Sequence, residues 1–272
     1  MATKTLAENV TQAISDFDDI KTAIEAKGVT VPSGTPTSDY DSLIGDIPTG
    51  DDSALIDLIE GDIVTLTVPS GVTKIKKYLC SYNTSLQSVV IPEGVTSIEN
   101  YAFLSCSSLS SAVLPNSLTR LFDNAFGSCS NLQNVNLGSN LTAIDSQAFY
   151  GCQHLTSVTL PASLSSVGSR AFMYCSALST LEIQRAAGWF GDYAFNFCTA
   201  LENVTLVSGF NTNNLNLSAS TLYSAQTIVS WLNALADRTG QTAYTLTIGS
   251  TNLAKLTAEE IAIATNKNWN LA

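Results

Sequence analysis

Residues 109–129 read LSSAVLPNSLTRLFDNAFGSC, and residues 132–152 read LQNVNLGSNLTAIDSQAFYGC. Aligned at a spacing of 23, the two segments carry leucine, phenylalanine and cysteine at matching positions without a gap. The spacing continues on both sides in three columns: Leu86, Leu109, Leu132, Leu155, Leu178 and Leu201; Phe103, Phe126, Phe149, Phe172 and Phe195; Cys106, Cys129, Cys152, Cys175 and Cys198. Such a period indicates a solenoid, because a unit that cannot bury its own apolar face buries it by stacking.

The repeat pattern L-x-x-V-x-L-P-x-x-L-x-x-I-x-x-x-A-F-x-x-C covers roughly residues 63–206. It resembles the BspA-type (Treponema pallidum type) leucine-rich repeat. The resemblance implies a leucine-rich-repeat solenoid of parallel β-strands with a 23-residue period. It implies a function only loosely, because one fold serves many functions. We expect four regions: an N-terminal helix, attachment module and linker (1–50), an N-terminal cap (51–62), the repeats (63–206), and longer repeats with a helical C-terminal cap (207–272).

The L-x-x-V-x-L piece of each repeat predicts a strand, and proline ends it in several repeats because proline has no N–H for the ladder. Alternation along the strand sends the residues on either side of the central apolar position to the outer face. We predict that this outer face is the binding surface, made of Ser88, Val90, Ser111, Val113, Asn134, Asn136, Ser157, Thr159, Thr180, Glu182, Asn203 and Thr205. Short hydroxyls and amides there can hydrogen-bond a glycan or a peptide with little loss of side-chain entropy.

A group of aromatic residues near the end of the array is the rival binding surface. Its members are Tyr150, Tyr174, Trp189, Tyr193 and Phe197. These rings can anchor a partner, or they can belong to the core where the repeat changes geometry.

The N-terminal residues predict an amphipathic helix that follows a capping box at Thr5 and Glu8 and ends at Gly28. Its apolar positions alternate by four and three residues: Leu6, Val10, Ala13, Phe17, Ile20 and Ile24. We expect these residues to form a coiled-coil seam in a homo-oligomer, with a trimer as one possibility. The alternative is a helix docked on its own chain or on a neighbour, because fewer than three heptads are marginal for a free coiled coil.

Residues 20–47, IKTAIEAKGVTVPSGTPTSDYDSLIGDI, resemble small N-terminal modules of phage tail and baseplate proteins. The C-terminal residues 256–272, LTAEEIAIATNKNWNLA, are similar to the ending of phage and gut-bacterial repeat proteins. In that tail we expect a helix from Ser220 or Thr221 to Asp237, a strand at 244–248, a second capping box at Thr257 to Glu260 and a short strand at 269–271.

Charge is concentrated at the N-terminus, where residues 1–62 hold 13 of the 23 acidic residues and three lysines, a formal charge of −10. The repeats are nearly neutral, so nucleic acid is not expected as a partner. No apolar run has the length of a signal peptide or a membrane span, so we expect no membrane insertion. We expect a protein made in the bacterial cytoplasm without a signal peptide and located in a virion, or alternatively at the bacterial cell surface.

The chemistry-bearing residues predict neither an enzyme nor a cofactor or metal site. A single column of stacked thiols suits neither disulfide nor zinc geometry, so the cysteines are expected to be buried, reduced and inert. His154, the one histidine, falls at a tolerant turn position, and no catalytic motif is present.

Two functions remain open at this stage. The first is a phage tail or baseplate-associated protein that displays the solenoid to a bacterial surface receptor, protein or glycan, and contacts other tail or virion proteins. The second is a bacterial interaction or adhesin-type repeat protein, or a structural spacer, outside any virion.

Overall fold

The computed structural model describes residues 64–68 and 71–272. The expected N-terminal helix with its seam residues, the phage-like module and the 51–62 cap lie outside the described residues. The described chain is a stack of repeats followed by a C-terminal portion that contains the three described helices.

The first face of the stack is a seven-stranded parallel sheet. Its strands are Thr65–Thr67 (β1), Ser88–Val90 (β3), Ser111–Val113 (β5), Asn134–Asn136 (β7), Ser157–Leu160 (β9), Thr180–Ile183 (β11) and Asn203–Leu206 (β13). Each strand pairs with the next at an offset of 23 residues, as in Thr65 with Ser88 and Thr180 with Asn203. The solenoid fold and its period are therefore confirmed.

The return side of each repeat forms a second, six-stranded parallel sheet. Its two-residue strands are Lys74–Ile75 (β2), Ser97–Ile98 (β4), Arg120–Leu121 (β6), Ala143–Ile144 (β8), Ser166–Val167 (β10) and Trp189–Phe190 (β12). Hydroxyls reinforce this side: the Oγ1 atoms of Thr119 and Thr142 donate to the carbonyls of Thr96 and Thr119, at 3.0 and 2.8 Å. A strand of two residues is hard to predict from the sequence, because only one of its side chains points inward.

A third backbone ladder joins the loops that close each repeat. The N–H groups of Tyr101, Phe103 and Ser105 donate to carbonyls of the next repeat, those of Asp123, Ala125 and Gly127, at 2.9, 2.8 and 2.7 Å. Two residues in each of these loops have positive φ, for example 61° at Tyr101 and 58° at Ser105. Residues other than glycine rarely adopt this conformation. Here the bonds between repeats hold it in place.

The core between the faces contains a ladder of phenylalanine rings. Phe103, Phe126, Phe149, Phe172 and Phe195 stack with centroids 5.1–5.5 Å apart, and each ring is at most 1% exposed. The rings repeat at the spacing of the strands, so each fills the interior of one turn. This arrangement confirms the predicted phenylalanine column.

The cysteine column lies beside the rings, and all six cysteines are free and buried. The thiols of Cys106, Cys129, Cys152, Cys175 and Cys198 each lie 3.0–3.3 Å from the carbonyl oxygen of the residue 26 positions earlier, to which they donate. The thiols are thus weak donors as well as small core groups. In the first described turn this position holds Asn83, whose Oδ1 accepts the N–H groups of Ser85 and Leu86 at 3.0 Å.

The C-terminal portion contains longer turns. It comprises Leu215–Asn216 (β14), Ala225–Ala234 (α1), Tyr244–Thr247 (β15), Ser250–Leu253 (α2), Ala258–Asn266 (α3) and Trp269–Leu271 (β16). The three strands form a parallel sheet in which the offset is 31 residues from Leu215 to Leu246 and 25 from Tyr244 to Trp269. The strand near 244, the strand at 269–271 and the Thr257 to Glu260 capping box are confirmed.

The prediction for the first C-terminal helix was wrong at both ends. The N-cap is Ser224, whose side chain accepts the N–H of Thr227, while the Ser220 hydroxyl donates to the carbonyl of Leu201 at 2.6 Å. At the other end Leu235 leaves the helix and forms a parallel bridge with Phe210. Long-range contacts therefore set both boundaries, since serine at 220 or 224 has the same capping propensity.

Helix α1 packs against β13, the last strand of the seven-stranded sheet. Its C-terminal carbonyls are bound by Lys267, whose ammonium group donates to Leu232, Asn233 and Leu235 at 3.1, 2.7 and 2.9 Å. A lysine suits this position because the last carbonyls of a helix have no partner within the helix and carry partial negative charge.

Candidate functional site

The outer face of the seven-stranded sheet carries all twelve residues of the predicted binding surface. The inner positions of these strands, such as Val89, Val158 and Leu181, are buried at 4% exposure or less. The flanking residues point outward, and all are exposed except Ser88 and Glu182, which are half-buried. Strand pairing and the 23-residue offset place them in two columns: Ser88, Ser111, Asn134, Ser157, Thr180 and Asn203; and Val90, Val113, Asn136, Thr159, Glu182 and Thr205.

The sequence interpretation missed two members of this face, Thr65 and Thr67 of β1. They flank the inward residue Leu66 and pair with Ser88 and Val90. The Thr65 and Ser88 hydroxyls lie 3.0 Å apart in a hydrogen bond. The 23-residue register could have predicted both residues, because it aligns Leu66 with the inward positions of the later strands.

The chemistry of this face is neutral and shallow. Glu182 is its one charged member among the described strands, and it accepts a hydrogen bond from the Thr159 hydroxyl at 3.4 Å. Val90 and Val113 form an apolar pair on adjacent strands, 55% and 63% exposed. Amides at Asn134 and Asn136 follow on the next strand. The face therefore offers hydrogen-bond donors and acceptors beside a small apolar area.

Hydrogen bonds at the border of the face hold its columns in place. The hydroxyls of Ser110 and Ser179 donate to the carbonyls of Gln87 and Thr156 in the preceding turns, each at 3.2 Å. With neighbouring strands about 4.8 Å apart, side chains in a column are presented at a regular spacing. A partner that matches this spacing loses little side-chain entropy on binding.

The structure divides the rival aromatic group. Tyr150 and Tyr174 meet edge to face with centroids 5.5 Å apart, and Tyr174 stacks on Phe197 at 4.5 Å. Tyr193 instead lies under the guanidinium of Arg170, with 5.9 Å from Cζ to the ring centroid. Trp189 is on β12 and forms no aromatic pair with another described residue. The rings of this group are at least partly exposed, so none replaces a core phenylalanine.

The buried thiols and the histidine offer little reactivity. Burial raises the pKa of Cys152 to about 12 and also raises the pKa of Cys129 and Cys175, so these thiols remain protonated near neutral pH. His154 is exposed, and its Nδ1 lies 2.7 Å from the carbonyl oxygen of Ser130. Within residues 64–68 and 71–272, no three histidine, cysteine or acidic side chains lie together where they could hold a metal ion.

The helices in the described part of the chain are all too short or too polar to cross a membrane.

Parallel strands stacked at a constant 23-residue offset over a ladder of core leucines and phenylalanines define a leucine-rich-repeat solenoid. The chain belongs to the BspA type leucine rich repeat family, whose model matches residues 60–176 and 123–230 in six copies. No curated protein matches the sequence.

Solved structures with a similar fold come from several bacteria. A leucine-rich repeat protein from Bacteroides ovatus superposes with a TM-score of 0.54 at 23% identity, over 70% of this chain and 44% of that one. One from Eubacterium ventriosum gives 0.48 at 25% identity, over 53% and 39%. The Treponema pallidum leucine rich repeat protein gives 0.48 at 20% identity, over 78% and 87%. This chain thus spans less than half the length of the first two proteins.

Proposed function

We propose that this protein is a non-enzymatic binding protein, and that the outer face of its seven-stranded sheet contacts the partner. The observation that carries the proposal is the outward pair of columns from β1 to β13, built, apart from Glu182, from small neutral side chains on paired strands. Small side chains leave the sheet accessible, and the pairing makes it rigid. Both properties favour recognition of an extended partner rather than of a small molecule in a pocket.

The partner in this proposal is a surface receptor of a bacterium. The face has two exposed valines and several amides and hydroxyls, which suit a neutral surface on a protein or a glycan. It lacks aromatic rings, so strong stacking on sugars is not expected from this face.

The setting in this proposal is a phage tail or baseplate, with the N-terminal residues as the attachment module that assembles with other virion proteins. Its support is the resemblance of residues 20–47 to tail modules. Mass spectrometry of purified phage particles from the source tests it directly. Recovery of the chain only from the bacterial envelope would instead favour an adhesin or a spacer outside the virion.

Charge introduced on the face tests the binding surface. We expect the triple variant Asn134→Asp, Asn136→Asp, Thr159→Glu to lose attachment of labelled protein to a panel of bacterial strains in flow cytometry. Carboxylates there must be desolvated without a counter-ion when a neutral partner binds. All three side chains are exposed, and repulsion between the new carboxylates at 136 and 159 and Glu182 on adjacent strands should lower the melting temperature slightly without unfolding the protein.

The matched control places the same charges outside the strands, as Asn131→Asp, Gln153→Glu and Ala162→Glu, three exposed positions. This control should attach like the parent chain. Normal attachment by the strand variant would show that the sheet face is not the binding surface.

A further inference from the structure

We infer that three rings at one border of the array, Tyr150, Tyr174 and Phe197, form a binding site for a neutral saccharide, distinct from the sheet face. We call these residues the aromatic strip. They lie on three successive turns and contact one another, edge to face between the first two and face to face between the last two.

The first observation is the backbone conformation at these positions. Tyr174 and Phe197 have φ of 64° and 61°, in the left-handed region that bulky residues rarely adopt. The same column holds Tyr82 in the first described turn and then Ser105, Ser128 and Gly151, with φ of 64°, 58°, 58° and 71°. The fold therefore needs only a small residue here. Tyr174 and Phe197 are the rings of this column that fall in adjacent turns, where they stack on each other, whereas Tyr82 is followed in the column by Ser105.

The second observation is exposure. Tyr174 is 38% and Phe197 is 44% exposed, whereas the core phenylalanines are at most 1% exposed. Tyr174 covers one face of the Phe197 ring, and no other described ring stacks on Phe197. Beyond this turn the 23-residue period ends, and no further described ring follows Phe197 in the stack. The stack therefore ends on Phe197, and another flat ring can extend it.

The exposed area of the aromatic strip indicates the size of the ligand. At about 150–250 Å² per aromatic ring, the exposed part of the strip amounts to roughly 200 Å². A stable protein interface takes about 800 Å² from each partner, so the strip is too small for a protein surface alone. It matches one or two sugar rings, which present a flat face of C–H groups to an aromatic ring.

The charge of the surrounding residues bears on whether the saccharide is charged or neutral. The loops that carry Tyr174 and Phe197 hold two charged residues, Arg170 and Asp192; Arg170 lies over Tyr193, and the cation–π contacts of the described residues include none to a ring of the strip. A charged saccharide would lose its hydration without a counter-ion. The strip therefore fits an uncharged saccharide, with the two tyrosine hydroxyls available to its hydroxyl groups.

The test uses the residues that the repeat itself places in this column. The double variant Tyr174→Ser, Phe197→Ser restores the serine of Ser105 and Ser128. The control is Tyr82→Ser, in the same column with φ of 64° and 63% exposure, but without an aromatic pair among the described residues. Thermal melting followed by circular dichroism establishes that each variant is folded. If the double variant does not fold, Phe197→Ser alone replaces it.

The full-length chain and its variants are run by native affinity electrophoresis in gels that contain dextran, mannan, galactan or β-glucan. We expect at least one polysaccharide to retard the parent chain and the Tyr82→Ser control equally. The double variant should show an affinity lower by about tenfold or more, from the loss of two ring contacts.

Three results would overturn the inference. They are a parent chain that none of the four polysaccharides retards, a double variant that is retarded like the parent, and self-association in sedimentation that the double variant abolishes. The last would assign the strip to contact with a second copy of the chain. The outcome is separate from that of the sheet face, because none of the residues changed here lies on it.

Discussion

The indole N–H of Trp231 donates to the carbonyl oxygen of Val204 at 2.7 Å, joining α1 to the last strand of the seven-stranded sheet. Both residues are buried, Trp231 at 0% and Val204 at 4% exposure. A strand at the end of a sheet leaves backbone groups without partners, which invites pairing with other chains. Here a helix covers that edge and one of its side chains satisfies a carbonyl of the edge strand.

We predict that Trp231→Phe lowers the free energy of unfolding by about 1–3 kcal/mol, because the Val204 carbonyl loses its donor while it stays buried. Chemical denaturation measures the change. Trp189→Phe is the matched control, since Trp189 is 51% exposed and should change stability by less than about 0.5 kcal/mol. Equal effects of the two substitutions would show that the indole bond does not stabilise the edge.

Phe149 occupies the middle of the phenylalanine ladder, between Phe126 and Phe172. Replacement by alanine removes a fully buried ring and leaves a cavity, so Phe149→Ala should cost about 3–5 kcal/mol. Tyr193→Ala removes a ring that is 56% exposed and should cost less than about 1 kcal/mol. An unchanged melting temperature for Phe149→Ala would contradict the core assignment.

The buried cysteines should resist thiol reagents in the folded protein. Burial raises the pKa of Cys80, Cys129, Cys152 and Cys175, and the thiolate is the reactive form. At pH 8 we expect negligible alkylation of the native chain and six alkylated cysteines after unfolding, measured by mass spectrometry. Rapid native labelling of Cys129 or Cys152 would contradict this prediction.

The raised pKa of the buried cysteines also predicts how the stability of the fold depends on pH. The pKa of an unfolded thiol is about 8.5, whereas burial raises the pKa of Cys152 in the folded chain to about 12. The unfolded state therefore loses its proton first, and each such thiol lowers stability by about 1.4 kcal/mol per pH unit above about 8.5. Melting temperatures from pH 7 to 11 should be flat and then fall. Cys152→Ala should show a shallower fall, and an identical slope would exclude this thiol as a cause.

Two glycines in different columns of the repeat, Gly168 and Gly151, should respond differently to alanine. A Cβ added at Gly168 would lie 2.4 Å from the carbonyl carbon of Asp145 and the nitrogen of Ser146, so the turns must separate. At Gly151 the nearest atom would be 3.7 Å away, and Ser128 and Tyr174 adopt the same conformation in neighbouring turns.

Gly168→Ala should therefore cost about 1–3 kcal/mol, the usual penalty of overpacking. Gly151→Ala should cost about 1 kcal/mol, because alanine is strained at a positive φ although no atom crowds the added Cβ. Thermal unfolding of the two variants side by side checks the difference. A larger loss at Gly151 would contradict the close approach at Gly168.

Deletion of residues 1–28 should leave a folded monomer if the heptad residues form the oligomer seam, since the deletion removes all six of them. Light scattering gives the mass per particle of the full chain and of the chain without residues 1–28. Within the full chain, Val10→Asp with Phe17→Asp should dissociate the oligomer, whereas Asp18→Asn with Asp19→Asn, outside the seam, should not. The same mass per particle with and without residues 1–28 would show that these residues are not the oligomerising element.

Much of the fold follows from the sequence because a solenoid contact joins positions related by the repeat. A residue such as Phe149 meets its equivalents Phe126 and Phe172, so the period alone predicts the neighbours. The outward columns follow from the same register together with the alternation of side chains along a strand. Helix α3 and its capping box follow from local spacing, since Thr257 and Glu260 bind each other's backbone.

The tertiary structure decided the features in which unlike parts of the chain meet. Helix α1 begins after Ser224 because Ser220 binds Leu201, and it ends where Leu235 pairs with Phe210. The indole of Trp231 binds a carbonyl 27 residues away in the sequence, and the aromatic group divides because Tyr174 stacks on Phe197 whereas Tyr193 lies under Arg170. Neither relationship recurs from one repeat to the next, so the repeat pattern of the sequence could not predict it. The sequence by itself determined the repeating core, whereas the closed sheet edge and the aromatic strip depend on contacts that form only once the turns are stacked.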